Sequence, residues 1–413
     1  MTEIEVLDAI MGSGKTTGII KWMKDNPDNR YLYVSPMLTE VEDRIPTYCA
    51  ELGFVSPSTE DCDTKSEHLL KLVKEGKNVA FTHSLFQDLT KDHLYWIRVY
   101  GYVLIIDEEI DFIESYSGSY TSFDILALEK KGHISVDEDN LGRVMWHWDD
   151  MEGRTAYSKM RRLCELGMLF CTKRKREMMV LHLPLELITS ASRVLVLTYL
   201  FKGSVMEAFI RLKGINIKPF TEVTLLKDNK DVISNAKSLI EVLENRTTRR
   251  IKNDPNITLS ATWYKDSGSR EDIETIKKCI RHLYVKHGKN NIMFTCRKDN
   301  AMKFKRGTKS TPNTRTVSHT DINVDDTFLY CSAKATNDYS HKNVLIHAYN
   351  RFCNIPVKSY LQDYGSPIQD DDTALSELIQ WIWRSAIRED KPIKIYFLSD
   401  RMERLFLTWL EGA

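Results

Sequence analysis

The stretch from Ile4 to Thr17 constrains the fold of this 413-residue chain more than any other. Ile4 to Ile10 is a short apolar-rich run. Gly12-Ser13-Gly14 follows, then a helical pattern from Lys15 to Lys24 that stops at Asn26-Pro27-Asp28. Strand, tight loop and helix in direct succession bring several backbone N–H groups and the positive end of a helix to one point, which suits a bound phosphate. Gly12 and Gly14 let the backbone turn successive N–H groups inward, Lys15 can meet the β- and γ-phosphates, and the Thr16 hydroxyl can ligate Mg²⁺. Met11, Gly12, Ser13, Gly14, Lys15, Thr16 and Thr17 are therefore the expected nucleotide cradle, with Ala9 standing where the general pattern has its first glycine.

A partner motif lies further along, where the apolar run Leu104-Ile105-Ile106 ends abruptly in Asp107-Glu108-Glu109. Hydrolysis of a nucleotide needs a carboxylate that holds the metal and a base that polarises the attacking water. Asp107 is expected in the first role, with Thr16 beside it on Mg²⁺, and Glu108 in the second. Glu109 and Asp111 remain as further acids at the same strand end.

Other β-type runs fall at Tyr31–Ser35, Asn78–Thr82, Tyr102–Ile106 and Arg193–Leu197, separated by helical or irregular stretches. The alternation predicts an α/β fold with mainly parallel sheets. The pattern loosens between about 115 and 190, which is read as an elaboration of the first domain. A second alternating series predicts strands at Ile257–Ser260, Ile292–Thr295, Thr327–Cys331 and Ile393–Leu398. Its helices are expected at Arg270–Val285, Thr373–Arg388 and Asp400–Leu410. Two domains follow, 1–205 and 206–413, since a single core rarely grows to this length.

The composition, 42% hydrophobic and 28% charged, is that of an ordinary globular protein. The eight cysteines contain no C-x-x-C pair, which disfavours a zinc site or a disulfide framework. The longest apolar runs are too short to span a bilayer, so no membrane association and a cytoplasmic location are expected. With a formal net charge of zero, contact with a polyanion must come from local patches. The segment Arg281 to Arg315 offers one, carrying Lys286, Lys289, Arg297, Lys298, Lys303, Lys305, Arg306 and Lys309 against the single acid Asp299. Near the C-terminus Gln380, Arg384 and Arg388 are spaced four apart and would share one helical face.

Taken together, the loop Met11 to Thr16, the acids Asp107-Glu108-Glu109 and the run Gln380 to Arg388 resemble motifs I, II and VI of superfamily 2 helicases, most nearly the DEAD-like helicases of bacteriophage replication regions. Val34-Ser35-Pro36-Met37, Thr82 to Phe86, Leu197-Thr198-Tyr199 and Lys334-Ala335-Thr336-Asn337 are similar to intermediate motifs. The resemblance implies two RecA-like P-loop domains, the first elaborated. It implies ATP and Mg²⁺ as cofactors, and ATP-driven translocation or unwinding of nucleic acid, DNA more than RNA, in phage-type replication or recombination. It assigns Gln380, Arg384 and Arg388 to catalysis. The family's second arginine falls on Ile387 here, which leaves Arg384 and Arg388 both open as the finger. It also assigns nucleic-acid contacts to Ser35, Pro36, Thr82, His83, Thr295, Thr336 and their neighbours Arg297, Lys298, Lys334 and Asn337. Replication or recombination proteins are the implied partners. Two other readings are a packaging-type ATPase motor and an ATP-switched nucleic-acid-binding or replication-initiation protein that does not unwind processively. A nucleotide kinase would leave the Gln380 run unexplained.

Overall fold

The structure, a computed structural model, describes residues 3–60, 62–118, 120–148, 157–304, 322–333, 336 and 338–412. In chain order its strands are β1 (Ile4–Asp8), β2 (Tyr31–Ser35), β3 (Val79–Thr82), β4 (Val103–Asp107), β5 (Ile113–Tyr116), β6 (Ile134–Asp137), β7 (Arg143–Trp146) and β8 (Leu169–Cys171). They continue as β9 (Met179–His182), β10 (Arg193–Thr198), β11 (Ile217–Pro219), β12 (Ile240–Val242), β13 (Ile292–Thr295), β14 (Val344–His347) and β15 (Ile393–Phe397). Contacts gather the chain into two compact units. The first holds Met1–Ala9, Lys15–Leu225 and Cys353–Gln369; the second holds Ile10–Gly14, Leu226–Phe352 and Asp370–Ala413.

In the first unit six strands form a parallel sheet in the order β11-β1-β10-β4-β2-β3. The interior strands are apolar almost throughout because helices cover both faces of a parallel sheet. Ile105 and Ile106, adjacent on β4, are both fully buried although their side chains point to opposite faces. Each such burial is worth roughly 1.5–3 kcal/mol. The connection between β1 and β4 places β10 between them, so the ends of all three lie side by side: Val196 pairs with Val6 on one edge and with Ile106 on the other.

The loosened segment of this unit is a five-stranded antiparallel sheet, β5-β9-β8-β7-β6. Alternation gives it two apolar faces. Phe170 and Val180 join the main core, while Leu169, Cys171 and Met179 join a separate cluster under the helices Ser122–Lys130 and Ser158–Glu165.

The second unit is built on a four-stranded parallel sheet, β12-β15-β14-β13. Its long helix Arg270–His287 is capped by Ser269, whose hydroxyl accepts from the Asp272 N–H while Asp272 returns the bond to the Ser269 N–H. Both units thus have the α/β class with mainly parallel sheets that the sequence predicts.

Three local expectations are overturned. Ile257–Ser260 is not a strand; Leu259 has φ 56°, a left-handed conformation that cannot continue a ladder. Thr327–Cys331 is not one either: Val324–Thr327 forms a helical turn, and Phe328 makes only an isolated bridge to Phe294. The strand of that region is Val344–His347, central in the sheet and buried throughout. The helix expected to reach Arg388 spans Asp370–Ile382. Ser385 turns to an extended backbone (φ −92°, ψ −170°), and Ala386 to Glu389 forms a separate 3₁₀ turn. Among the described residues no helix is long and apolar enough to cross a membrane.

Candidate nucleotide-binding site

The glycine loop leaves β1 at Asp8 and enters the helix Lys15–Asp25. Gly12 and Gly14 take φ 85° and 91°, values that a side chain would strain. At Gly14 space adds a second reason, since a Cβ would lie 2.7 Å from Cγ of Leu226. The helix has no acid in its first turn, so its positive end is not opposed by its own side chains. Lys15 donates to the Ala9 carbonyl, Thr16 is half-buried and Thr17 exposed.

Within the second unit the loop is fixed from outside. The Ile10 N–H donates to Oδ1 of Asn229 (2.8 Å), and the Ser13 carbonyl accepts from the N–H groups of Leu226 and Lys227 (3.0 and 3.3 Å). Ser13 is fully buried and its hydroxyl has no hydrogen-bond partner among the described residues. An orphaned hydroxyl in such a loop fits an oxygen-rich ligand that brings its own acceptors. Met11 and Gly12 line a small cavity with Lys227, Trp383, Ile387 and Arg388.

At the carboxyl end of β4 the backbone turns sharply, for Glu108 sits at φ 64° while its N–H donates to the Leu197 carbonyl (2.9 Å). A left-handed residue without glycine's freedom is costly and clusters at functional sites. Asp107 accepts from the Ser35 hydroxyl (3.2 Å), and Glu109 accepts from the Thr198 hydroxyl at the end of β10 (3.0 Å). Burial pushes the Asp107 carboxyl up to about 7. The negative charges of Glu108 and Glu40 push the same way, and Lys15 opposes them. A dication would relieve that strain by favouring the ionised carboxylate. The Thr16 hydroxyl and the Asp107 carboxylate are hard oxygen donors of the kind Mg²⁺ takes alongside substrate phosphates. Among the described residues no group of three or more His, Cys, Asp or Glu could hold a metal by itself.

The shared stripe expected of Gln380, Arg384 and Arg388 does not form, because the helix stops at Ile382. Gln380 stays on the helix, with Nε2 donating to Oγ of Ser376 (3.4 Å). Arg384 is buried in the turn that follows, and Arg388 is exposed on the 3₁₀ turn beside Met11 and Gly12. The break is held by one tertiary and one local bond: the Ala386 N–H donates to the Lys342 carbonyl, and the Ser385 hydroxyl donates to the Ile382 carbonyl three residues back.

The expected nucleic-acid contacts divide by exposure. Ser35 is buried, with its hydroxyl on Asp107, and Pro36 is half-buried next to it. Thr82 caps the helix His83–Gln87, and His83 follows at its start. Thr295 is fully buried at the end of β13 and presents nothing to a strand. Arg297 pairs with Asp299 (2.7 Å), and Lys298 lies over the Tyr330 ring (4.7 Å). Thr336 donates to Asp338 (2.9 Å). Lys334, Asn337, Lys305, Arg306 and Lys309 lie outside the described residues.

Sequence reasoning passed over Asp8, whose carboxylate accepts from the N–H groups of Leu200 and Phe201 (2.8 and 3.0 Å) and ties β1 to the turn after β10. The signal available was an acid closing an apolar strand just before the glycine loop.

The glycine loop thus follows β1, and the acids close β4, the next strand but one in the same parallel sheet. Residues 234–410 match the family model described as the YonV C-terminal Rossmann-like domain. Over its whole length the chain is similar to the SPbeta prophage-derived uncharacterized protein YonV of Bacillus subtilis (strain 168). The two are 29% identical over 442 residues, covering 100% of each. Among solved structures it is similar to S. tokodaii Xpd4, at 13% identity and a TM-score of 0.41, covering 99% of this chain and 94% of that one. It is also similar to S. cerevisiae Dbp5 bound to RNA and ADP BeF3, at 11% identity and a TM-score of 0.35, covering 100% and 83%.

Proposed function

We propose that this chain is a Mg²⁺-dependent ATPase that spends its cycle moving on or remodelling nucleic acid, in the manner of a helicase or translocase. The observation that carries the reading is the adjoining ends of β1, β10 and β4. β1 runs into a loop with two positive-φ glycines, and β4, two strands away in the same sheet, ends at Asp107 and a left-handed Glu108. Lys15 and the loop amides of Met11 to Thr16 would bind the phosphates, with Thr17 next in the same helical turn. Thr16 and Asp107 would hold Mg²⁺, which supplies charge neutralisation when bound. Glu108 would accept a proton from the attacking water, and Arg388 would face the developing charge on the γ-phosphate, with Arg384 in support. Gln380, near the end of the helix Asp370–Ile382, precedes the turn that carries Arg384 and would support it from there.

Nucleic acid as the substrate is supported by the resemblance carried by the motif residues and by the cations beyond β13, the exposed Lys298 and the half-buried Arg297. Pro36, Thr82, His83, Thr336, Lys334 and Asn337 complete the proposed track, while burial argues against direct contact by Ser35 and Thr295. The prophage origin of the YonV relative agrees with a role in phage DNA replication or recombination and with partners drawn from those processes.

Phosphate release measured without nucleic acid, and with single-stranded and duplex DNA and RNA, tests the reading. Stimulation by nucleic acid, strongest with DNA, is expected. ATP turnover that no nucleic acid changes would favour an ATP-switched binding protein instead.

A further inference from the structure

The basic run between Arg281 and Lys303 is one patch in sequence but two in space, because β13 runs through it. Arg297 and Lys298 follow the strand's carboxyl end, the end at which α/β sheets bind ligands. Arg281, Lys286 and Lys289 precede its amino end and are not absorbed by the proposed site. On the helix Arg270–His287, Lys278, His282 and Lys286 are exposed at a spacing of four residues, so they form a single ridge. Lys289 extends it beyond the helix. None of these four has an ion pair among the described residues, whereas three other cations of this unit do: Lys277 with Glu274, Lys252 with Glu403, Arg297 with Asp299. Cations left unpaired in a row in a chain of zero net charge form a local positive field.

The ridge runs into an open groove of about 440 Å³ at the amino ends of β14 and β15, where His287, Asn343 and Lys394 are among the lining groups. Lys394 has Glu241 at 3.9 Å as its acid neighbour. Burial lowers the His287 pKa, and the charges of Lys286, Lys394 and His282 lower it further, which agrees with an electropositive groove. From Lys278 to Lys286 the helix rises about 12 Å, at 1.5 Å per residue. At 3.4 Å between phosphates of one strand, that matches the axial length of roughly three to four nucleotides.

We infer that Lys278, His282, Lys286 and Lys289, with the groove at Asn343 and Lys394, form a second binding surface for the phosphodiester backbone of nucleic acid, at the end of the second unit's sheet opposite to Arg297 and Lys298. The inference rests on the nucleic-acid reading above. Its role is to hold a stretch of strand by charge alone, without reading bases.

The test compares the full chain with the triple variant Lys278→Glu/Lys286→Glu/Lys289→Glu, using fluorescence anisotropy of labelled single-stranded and duplex DNA across a salt series. Arg297→Glu/Lys298→Glu serves as the separate arm. A triple Lys→Gln variant and a thermal melt guard against misfolding. The triple reversal is expected to weaken binding by about tenfold or more near 0.1 M salt and to reduce the log–log salt slope by roughly two to three. The Lys→Gln variant should fall between, and basal ATP hydrolysis should stay unchanged. Wild-type binding that the triple reversal leaves intact in affinity and slope overturns this second surface while leaving the nucleic-acid reading standing, and returns the ridge to an acidic protein partner or plain solvent. A wild-type chain that binds no nucleic acid overturns both.

Discussion

Nε2 of His83 lies 2.9 Å from the main-chain carbonyl of Asp107 and donates to it, since a carbonyl can only accept. The histidine belongs to a segment proposed to touch nucleic acid, and the aspartate to the proposed metal site. A contact at the start of the helix His83–Gln87 therefore bears directly on the strand end that carries the acids. His83→Ala is expected to cut nucleic-acid-stimulated ATP turnover by roughly tenfold, the scale found when a group that orients a metal ligand is removed. Basal turnover should change much less. Steady-state phosphate release with and without DNA checks this, and equal losses in both would break the proposed link.

The two arginines after Gln380 are now distinguishable. Arg388 is exposed beside Met11 and Gly12, whereas Arg384 is buried. Arg388→Ala should leave ATP affinity close to normal and lower stimulated turnover by a factor of roughly 10³. Arg384→Ala should lower thermal stability as well, because it removes a buried side chain. Nucleotide binding, turnover and a melt on each variant separate the two outcomes; stimulated hydrolysis intact in a folded Arg388→Ala would remove that residue from catalysis.

Acid sensitivity of the second unit follows from His347 on β14. It is fully buried against Trp381 and Phe397, and neither ring nitrogen has a hydrogen-bond partner among the described residues. Burial lowers its pKa from 6.5 to about 3. The unfolded chain therefore takes up a proton first as pH falls, so this contribution to stability is complete above pH 6.5 and is lost progressively toward pH 3. The loss is on the order of a few kcal/mol at most. His347→Phe should hold its stability at neutral pH and flatten the decline between pH 6.5 and 4. Urea melts over that range test it; parallel declines in the two proteins would place the acid sensitivity elsewhere.

Much of this was legible in the sequence, and the reasons differ by element. β1, its loop and the helix Lys15–Asp25 were readable because an apolar run, two loop glycines and a helical pattern follow one another directly. β2, β4 and β10 were readable because strands buried on both faces are apolar throughout. Val344–His347 escaped because four residues with a terminal histidine carry no period. The break after Ile382 was invisible because Ala386, Ile387 and Arg388 all suit a helix; the Lys342 carbonyl that captures the Ala386 N–H comes from elsewhere in the chain. The left-handed turn at Glu108 was equally hidden, since nothing local favours it. The basic run read as one patch because linear spacing does not reveal that β13 carries its two halves to opposite ends of a sheet.

Phosphate release from Mg²⁺·ATP by Glu108→Gln, set beside equilibrium nucleotide binding and a Lys15→Ala control, tests the central claim most directly. The account predicts that Glu108→Gln binds ATP like the parent and loses turnover by about 10²–10⁴-fold, because the amide keeps the shape but cannot take the proton. Lys15→Ala should lose both binding and turnover. Glu108→Gln hydrolysing ATP at the parent rate, or a parent chain that neither binds nor hydrolyses ATP, would contradict it.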